Sequence, residues 1–532
     1  MRKTYVILVL ACLLIGQAEA QIAIKGNDFY IDGKKFFIKG IGYEVGALPG
    51  RDPNQREFNA EQLRFDMARI AKGGFNTIRT WGAFTDEEMA VVSEFNLKII
   101  MGIWIDPHRD FSDPLFADEA RKIVSQTVSY TRKYDQIIGY LVMNEPLAHD
   151  IMHAGYAQTT ALWKSLVDII HNAHPGRPVS IANTPCGTFV NPDLFDFGAY
   201  NNYIYNPVMV NFLHQYRNFT EYVCSLSTEA KPVVITEFGL SVSGKGPGKY
   251  GYGGNTMQEQ SDGDITMYKG LVDGGAKGAC VFCYSDGWWK GGNPYRHNDV
   301  PEEWFGLVEY ANADDHRGKE RPSWEAICRF QSAVITEPRS EEIYQQEIPI
   351  EIFANDTIKR IEIYRNDSIL WSKLITGEYT HASIPMLVSR PTDVVLVFKC
   401  YDEMEQLIKQ EEKVILVTNQ PIALPTIDIR YNADCWDTRK LDVTYNIKDK
   451  TDLFTYSDVF DCAYYPHIGF DYGSKDSIQV TGDKPLMSHW EIGRDVPVFT
   501  IGGAFDLQLG QFKKRIYNQV TSCRSPKKRS LH

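Results

Sequence analysis

The sequence lacks several features that would place it in other classes of protein. Beyond residues 1–20 it has no apolar run near the roughly 20 residues that span a bilayer. It has no excess of positive charge, since 56 Lys and Arg stand against 68 Asp and Glu, and the net charge of −12 argues against a nucleic-acid-binding protein. Aromatic residues make up 12% of the chain, which argues against disorder. The length of 532 residues predicts two to four domains.

Residues 1–20 have the pattern of a signal peptide. Two basic residues precede an apolar run over 6–15, and Ala18-Glu19-Ala20 matches the small-x-small pattern of a cleavage site. We therefore expect a mature chain that begins at Gln21 and is soluble and exported, whether secreted, periplasmic or at the cell surface. A lipid anchor at Cys12 is the alternative, because residues 9–12 resemble a bacterial lipobox.

The number and positions of the cysteines bear on whether an exported chain forms disulfides. Cys12 would be removed with the signal peptide, which leaves nine of the ten cysteines, and an odd number leaves at least one unpaired. Cys280 and Cys283 lie in an apolar run over 279–284 that predicts a buried strand, where residues three apart point to opposite faces. We interpret them as core thiols and not as a redox pair.

Between residues 36 and 330 strand and helix patterns alternate. The eight candidate strands are 36–42, 76–81, 98–104, 137–143, 178–182, 197–204, 233–238 and 278–284, and the candidate helices are 60–72, 85–94, 116–134, 155–173, 208–226 and 257–274. Apolar strands between amphipathic helices indicate parallel strands that are buried on both faces. We therefore predict an α/β fold with a (β/α)8 TIM barrel over 21–335. A hairpin over 22–38, turning at Asp32-Gly33, should cap its N-terminal end.

After residue 335 the helical period fades and short alternating strands follow. Residues 340–418 are typical of an immunoglobulin-like β-sandwich, with two strands around Asn366-Asp367. Residues 420–425 form a plausible linker. Residues 426–523 carry further β-runs and several aromatics, including Trp436, Tyr464, Tyr465 and Trp490, and predict a second β-rich accessory domain. The barrel is thus expected to be followed by one or two small all-β sandwich domains.

Two glutamates stand where predicted barrel strands end. Strand four ends in Asn144-Glu145-Pro146, and strand seven ends in Thr236-Glu237-Phe238. Chemistry in such barrels is built at the C-terminal ends of the strands. Strands four and seven are three apart around the ring, so these carboxylates can face each other across its mouth.

Facing carboxylates are the groups that glycoside cleavage needs. One is protonated and assists the leaving oxygen, while the other is ionised and attacks the anomeric carbon or activates water. A separation of about 5–5.5 Å gives retention of configuration, and about 6.5–9.5 Å gives inversion.

These two motifs, in this order and spacing, resemble glycoside hydrolase clan A, a group of retaining (β/α)8 enzymes. The resemblance covers roughly residues 25–330. The stretches 36–43 and 76–81 are also similar to the first two barrel strands of families 2 and 5 and of fungal glucanosyltransferases. Family 2 members usually carry sandwich domains before the barrel, whereas here they follow it, which puts a family 2 activity in doubt.

The resemblance implies a role for each of several residues. Glu145 would be the acid/base and Glu237 the nucleophile, and Asn144 would hold the sugar 2-hydroxyl. Arg79 would keep the nucleophile ionised, and Tyr203 would hydrogen-bond it. Trp288, or Trp289 beside it, would be the floor on which a sugar ring stacks. Three further residues at strand ends could either line the cleft or pack in the core, namely Trp81, Trp104 and His108.

No metal or organic cofactor is expected. His149 and His153 have the spacing of a zinc motif, but Asp150 stands where the metalloprotease motif requires Glu. Their position after Glu145 predicts a rim loop instead. The glycine-rich stretch 244–249 lacks the order of a phosphate-binding loop and predicts a flexible loop over the cleft.

Three functions remain open from the sequence. The first is a secreted retaining β-glycoside hydrolase acting on a β-linked oligo- or polysaccharide. The second is a transglycosylase with the same catalytic residues that passes the glycosyl intermediate to another sugar. The third is a non-catalytic glycan-binding protein, although a binder has no need of both Glu145 and Glu237. The oligomeric state is left open.

Overall fold

The computed structural model describes most of the chain after the predicted signal peptide. The described residues are 21–55, 58–184, 190, 192–203, 216–227, 229–431, 440–449, 451–462, 468–471, 477–483, 499–517 and 521–523. The predicted signal peptide with Cys12, the first half of the predicted helix 208–226, and the aromatics Trp436, Tyr464, Tyr465 and Trp490 lie outside them.

A small antiparallel sheet opens the described chain. Its three strands are β1 Ile22–Lys25, β2 Asp28–Ile31 and β3 Lys34–Phe36. The first predicted strand of the hairpin is therefore two strands, because the chain turns at Gly26, whose φ is 59°. Ile22 and Phe29 of this sheet pack with inward residues of the barrel such as Ile100 and Val234. The sheet thus closes the N-terminal end of the barrel, as the sequence predicted.

Eight parallel strands form a closed barrel in chain order, which confirms the predicted fold class. They are β4 Ile38–Gly42, β5 Thr77–Arg79, β6 Lys98–Ile103, β7 Ile137–Asn144, β8 Val179–Asn183, β9 Gly198–Asn201, β10 Val233–Phe238 and β11 Gly278–Val281. Almost every residue of these strands is buried, since side chains pack inward into the barrel and outward against helices.

Helices cover the outside of the barrel. They are α1 Ala60–Lys72, α2 Asp86–Val92, α3 Pro114–Thr131, α4 Ala148–Ala154, α5 Tyr156–Ala173, α6 Tyr216–Cys224, α7 Met257–Asp273 and α8 Pro322–Gln331. Several begin at side-chain caps that the sequence contains, such as the capping boxes Thr85–Glu88 and Thr256–Glu259. The predicted helix 155–173 is preceded by the short α4, because Gly155 at φ 90° separates the two.

The chain between β11 and α8 is long and folded. It contains a short antiparallel ribbon of β12 Val308–Glu309 and β13 Lys319–Glu320. A buried ion pair anchors it, in which Arg321 Nη2 lies 2.6 Å from Asp286 Oδ2 and both side chains are fully buried. This anchor fixes the loop that forms one wall of the cavity described below.

A β-sandwich follows the barrel. Its strands are β14 Ala333–Glu337, β15 Ile343–Gln345, β16 Glu347–Ala354, β17 Arg360–Arg365, β18 Ser368–Leu374, β19 Tyr379–Pro385, β20 Thr392–Tyr401 and β21 Leu407–Thr418. They form sheets of the order β14-β16-β19 and β15-β21-β20-β17-β18 around an aliphatic core. Asn366 and Asp367 both have positive φ and form the tight turn between β17 and β18.

Two further sheets lie in the C-terminal part. Their strands are β22 Thr426–Tyr431, β23 Lys440–Lys448, β24 Phe454–Cys462, β25 Ile468–Asp471, β26 Ser477–Asp483, β27 Phe499–Leu509, β28 Phe512–Tyr517 and β29 Thr521–Cys523. Strand β28 contacts helix α6 of the barrel, since Lys514 Nζ lies 3.2 Å from Glu221 Oε1 and the Tyr517 hydroxyl donates to the Asn218 carbonyl. This contact lies on the outer side of the barrel.

Cys280 and Cys283 are both buried free thiols. Burial raises the pKa of the Cys280 thiol to about 12 and raises the pKa of Cys283 well above its usual value. Both therefore stay protonated and unreactive, in line with the interpretation as core thiols. Among the described helices, none is long and apolar enough to cross a membrane.

Candidate active site

A cavity of about 570 Å³ opens at the C-terminal ends of the barrel strands. This volume and position suit a small-molecule site in this fold. Its lining residues come from strand ends and from the loops that follow, and they are Glu44, Val45, Pro53, Asn54, Trp81, Gly82, Trp104, Asn144, Glu145, Tyr203, Glu237, Tyr252, Phe282, Trp289, Lys290, Glu302 and Phe305.

Glu145 is aimed into this cavity by an irregular end of β7. Pairing between β7 and β8 advances three residues from Leu141 to Asn144 on β7 but only two on β8, so β7 carries one extra residue. Met143 has a φ of 113° and Glu145 a φ of 51°. Such values are costly for residues with side chains and cluster at functional sites. The Glu145 amide then donates to the Ala182 carbonyl at 2.8 Å, which holds this conformation.

Glu237 is placed by the same device on β10. Pairing with β9 advances from Ile235 to Glu237 on β10 but by only one residue on β9. The extra residue changes the strand's alternation directly before the glutamate, so it decides which way Glu237 points. The Glu237 side chain is 7% exposed and lines the cavity.

Three donors from other strands hold the Glu237 carboxylate. Arg79 Nη2 lies 3.0 Å from Oε1, Trp81 Nε1 donates to Oε1 at 2.9 Å, and the Tyr203 hydroxyl donates to Oε2 at 3.0 Å. An ionised carboxylate accepts hydrogen bonds only, and a neighbouring guanidinium favours that form. This environment therefore suits an ionised Glu237.

Asn144 and Asn201 connect the two glutamates. Arg79 Nη2 donates to Asn144 Oδ1 at 2.5 Å, and Asn201 Nδ2 lies 3.3 Å from the same oxygen. Asn201 Nδ2 also donates to Glu145 Oε1 at 2.7 Å. Asn201 Oδ1 accepts from the Thr236 hydroxyl at 2.7 Å, which fixes the orientation of its amide. Asn201 stands two positions before Tyr203 in the sequence, and the resemblance implied a role only for Tyr203.

Glu145 has a different environment from Glu237. Burial, followed by the negative charge of Glu237, raises the pKa of Glu145 to about 7, although the Asn201 hydrogen bond and Arg79 act in the opposite direction. A carboxyl group with a pKa near neutrality can donate a proton and take it back at physiological pH. The cavity thus holds one carboxyl group suited to proton transfer and one suited to acting as an anion.

Trp288 does not form the floor of the cavity, so this assignment is corrected. Its side chain is buried and stacks on His297 with ring centroids 4.8 Å apart. The neighbouring Trp289 lines the cavity, and its Nε1 donates to Glu44 Oε2 at 3.0 Å. The two tryptophans lie in a 3-10 turn, where consecutive side chains point about 120° apart and only one of them can face the cavity.

Phe282 is an aromatic wall that the sequence analysis missed. It packs edge-on against Trp81 with centroids 5.3 Å apart, and it also contacts Tyr203 and Phe305. The sequence signal was its position after the apolar residues of strand eight. It was hidden because aromatic residues in such a run are usually core.

Three charged residues in the cavity were also missed. Glu44 follows β4, Lys290 follows β11, and Glu302 lies further along the same loop. Lys290 Nζ lies 3.5 Å from Glu302 Oε2 and 4.5 Å from the centre of the Phe282 ring. Their sequence positions lie in loops without regular periodicity, so no pattern marked them.

Two of the three residues that could either line the cleft or pack in the core, Trp81, Trp104 and His108, line the cavity. Trp81 and Trp104 line the cavity, and Trp104 is 53% exposed. His108 lies on the surface near the rim with its Nδ1 3.3 Å from Asp150 Oδ2. Within the described ranges, no group of three or more His, Cys, Asp or Glu side chains is arranged to hold a metal ion.

The glycine-rich stretch 244–249 is folded back on the chain that follows it. The Gly248 amide donates to the Gly253 carbonyl, and the Gly254 amide donates to the Ser243 carbonyl. The Asn255 side chain donates to the Ser241 and Gly251 carbonyls. This loop presents Tyr252 to the cavity, and the Tyr252 hydroxyl donates to Glu302 Oε1 at 2.6 Å.

No protein-family model and no curated protein matches this sequence. Solved structures with a similar fold include β-glucuronidase 3 of Bacteroides uniformis, at 14% identity and a TM-score of 0.44, covering 94% of this chain and 64% of that one. They also include a β-glucuronidase of Parabacteroides merdae, at 13% identity and a TM-score of 0.46, covering 94% of this chain and 63% of that one. The chain thus spans less than two thirds of the length of these proteins, and the likeness concerns the fold.

Proposed function

We propose that this protein is a retaining β-glycoside hydrolase that cleaves a β-linked oligo- or polysaccharide by double displacement. One observation carries the proposal: a single cavity holds Glu237 under three donors and Glu145 with its pKa raised to about 7. Glycoside cleavage with retention requires one carboxylate that stays ionised and one carboxyl group that exchanges a proton.

In the first step Glu237 attacks the anomeric carbon. The bond to the leaving oxygen breaks as Glu145 gives that oxygen its proton, and a glycosyl ester forms on Glu237. In the second step Glu145, now a carboxylate, takes a proton from water. The water attacks the anomeric carbon, the ester bond breaks, and both glutamates return to their starting state. Two inversions leave the β configuration retained.

The neighbouring residues take positioning roles in this proposal. Arg79, Trp81 and Tyr203 keep Glu237 ionised and oriented. The Asn144 carbonyl oxygen is taken by Arg79, so its amide NH₂ group is the part left to face the sugar 2-hydroxyl. Phe282 supplies an apolar wall, and Trp289, one of the two tryptophans that the resemblance offered for the floor, also lines the cavity.

An exposed aromatic residue supports a substrate with a sugar as the leaving group. The leaving group lies on the side of Glu145, because Glu145 protonates it. Trp104 follows β6, the strand that pairs with β7, and it lines the cavity while half exposed. An aromatic face at this position suits stacking on a sugar ring. Together with the signal pattern of residues 1–20, this favours an exported enzyme of glycan degradation.

The predicted domains complete the proposal. Residues 21–335 would form the catalytic barrel, and 340–418 and 426–523 would be accessory β domains. The cavity-lining residues all lie within 44–305, and none of them belongs to the β domains. This arrangement supports an accessory role for the C-terminal domains.

The experiment that tests the proposal combines two variants with azide. Wild-type protein is assayed on aryl β-glycosides and β-linked polysaccharides beside Glu237→Ala and Glu145→Ala. With azide and an activated substrate, Glu237→Ala should form the α-glycosyl azide and Glu145→Ala the β-glycosyl azide, because azide replaces a different group in each variant. Glu325→Ala on the exposed surface of α8 is the matched control and should keep wild-type activity.

Wild-type inertness across the whole panel, with glycan binding intact in both variants, would contradict the hydrolase and favour a binding protein. Product analysis separates the remaining alternative. Sugar-to-sugar transfer products in excess over hydrolysis, at low acceptor concentration, would identify a transglycosylase that uses the same residues.

A further inference from the structure

We infer that the cavity is built for an uncharged glycosyl unit and rejects uronic acids. This inference rests on the proposed function and names its substrate class. Four of the residues that line the cavity are carboxylic acids, namely Glu44, Glu145, Glu237 and Glu302. Lys290 is the one lining residue with a cationic side chain among the described residues, and Arg79 lies beneath Glu237.

The geometry separates the two sides of the cavity. Trp104 and Glu145 belong to β6 and β7, on the side where the leaving group departs. Strand β11 pairs with β4 and with β10, which carries Glu237, so the residues that follow β4 and β11 lie together on the other side. Glu44 and Lys290 therefore lie on the side of the cavity that would hold the sugar unit attached to Glu237.

Lys290 is already committed to carboxylates of the protein. Its Nζ lies 3.5 Å from Glu302 Oε2. Burial alone would lower the pKa of Lys290, but the negative charges of Glu44 and Glu302 outweigh it and raise the pKa. The lysine is thus a cation whose charge is balanced locally, and a substrate carboxylate would have to compete with Glu302 for it.

Glu44 is a hydrogen-bond acceptor on the side of the cavity that would hold the glycosyl unit. A uronic acid bound there would place its own carboxylate near that of Glu44. Its Oε2 accepts from Trp289 Nε1 at 3.0 Å, which fixes the carboxylate at the cavity wall. Burial raises the pKa of Glu44, while the charge of Lys290 and the Trp289 hydrogen bond act in the opposite direction. In its ionised form Glu44 can accept hydrogen bonds from sugar hydroxyls but offers none to a substrate carboxylate. Like charges brought together in a partly buried site repel each other strongly.

The test uses matched pairs of substrates that differ only in charge. These are the 4-nitrophenyl β-glucoside, β-galactoside and β-mannoside, each beside its 6-carboxylate, the uronide. Turnover is measured with wild-type protein, and binding is measured by calorimetry on Glu237→Gln. In every pair that shows binding or turnover, the uncharged member should bind and react at least about tenfold better than its uronide.

Two variants should move this ratio in opposite directions. Glu302→Gln removes a negative charge and should lower the preference for the uncharged member by about tenfold, whereas Lys290→Met should increase it. Glu325→Gln on the surface of α8 should leave the ratio unchanged. A ratio that all three variants leave unchanged would overturn the inference, because charge would then not set it.

The outcomes separate this inference from the proposed function. Preferential cleavage of a uronide overturns the inference while the glycosidase stands. Preferential binding of an uncharged glycoside to Glu237→Gln, with no turnover by wild-type protein, supports the inference and contradicts the glycosidase. Failure of every uncharged glycoside to bind or react overturns the inference.

Discussion

The C-terminal ends of β7 and β10 have similar backbone structure, but their glutamates have different surroundings. Each is an apolar strand that carries one extra residue just before a glutamate. Glu237 receives three donors, including a guanidinium. Glu145 accepts a hydrogen bond from the Asn201 amide, and its pKa is raised to about 7. The same residue type at equivalent positions thus has different hydrogen-bond partners and different neighbouring charges.

The difference comes from residues on other strands. Arg79 ends β5 and Trp81 follows it, while Tyr203 follows β9, and all three converge on Glu237. Burial is the first cause that raises the pKa of Glu145. The roles proposed for the two carboxyl groups therefore rest on the residues that face them and not on their own strands.

The largest expected effect is the loss of Glu237. Glu237→Gln keeps the shape of the side chain but removes the nucleophile, so kcat should fall by at least about 10⁴-fold for every leaving group. Steady-state kinetics on aryl glycosides of different leaving-group pKa would show this. If Glu237→Gln retained good activity on every substrate, Glu237 would not be the nucleophile.

Glu145→Gln should behave differently. Substrates whose leaving group needs a proton should react about 10²–10⁴-fold more slowly, while formation of the glycosyl-enzyme from a dinitrophenyl glycoside should be nearly unaffected. The measurement is a plot of rate against leaving-group pKa. An equal loss on all substrates would argue that Glu145 is not the proton donor.

Tyr203→Phe should sharpen the comparison, since it removes one donor from Glu237 and leaves the hydrogen bond from Asn201 to Glu145 in place. A hydrogen bond to a charged group contributes about 1.5–3 kcal/mol, so kcat/KM should fall by roughly 10- to 100-fold. The melting temperature is the control and should change little. A fall in stability without a kinetic effect would assign Tyr203 to packing.

The pH profile tests the proton-donor role directly. The pKa of about 7 at Glu145 means that its acid form is present below this pH and is lost above it. We therefore expect kcat/KM to fall about tenfold per unit as the pH rises above about 7. Glu145→Gln should lack this limb, and a limb that persisted in that variant would belong to another group.

The smallest effect concerns the two adjacent tryptophans. Trp289→Phe loses the donor to Glu44 in the cavity and should raise KM several-fold, about 1 kcal/mol of binding, with little change in melting temperature. Trp288→Phe disturbs the stack with His297 and should lower the melting temperature with little kinetic effect. The reverse pattern would restore Trp288 as the residue that contacts substrate.

Much of the fold was predictable from local signals. The eight barrel strands and the helices over 60–72 and 257–274 were predicted within a few residues, because burial on both faces and helix caps leave clear patterns. Helix α8 was not predicted. It follows a long irregular loop, and its short apolar pattern runs almost directly into that of strand β14, so the two were not separated.

The candidate site was only half predictable. The positions of Glu145 and Glu237 followed from strand ends, which all meet at one face of a parallel barrel, and Arg79 and Tyr203 were implied by the resemblance to clan A. Phe282 was missed because aromatic residues in an apolar run usually pack in the core. Glu44 and Lys290 were missed because they lie in loops without regular periodicity. The sequence left Trp288 and Trp289 as alternatives, since the phase of a short 3-10 turn depends on what packs around it, and the structure places Trp289 in the cavity wall.

The sequence by itself determined that this chain builds a parallel barrel and that two glutamates stand at its open end, because strand periodicity and strand-end position are local properties. The tertiary structure decided which glutamate lies beside Arg79, Trp81 and Tyr203 and which has its pKa raised to about 7. It also decided that three further charged side chains share their cavity. Those properties arise from burial and from contacts between residues up to 245 positions apart, as in Trp289 and Glu44, and no local pattern encodes them.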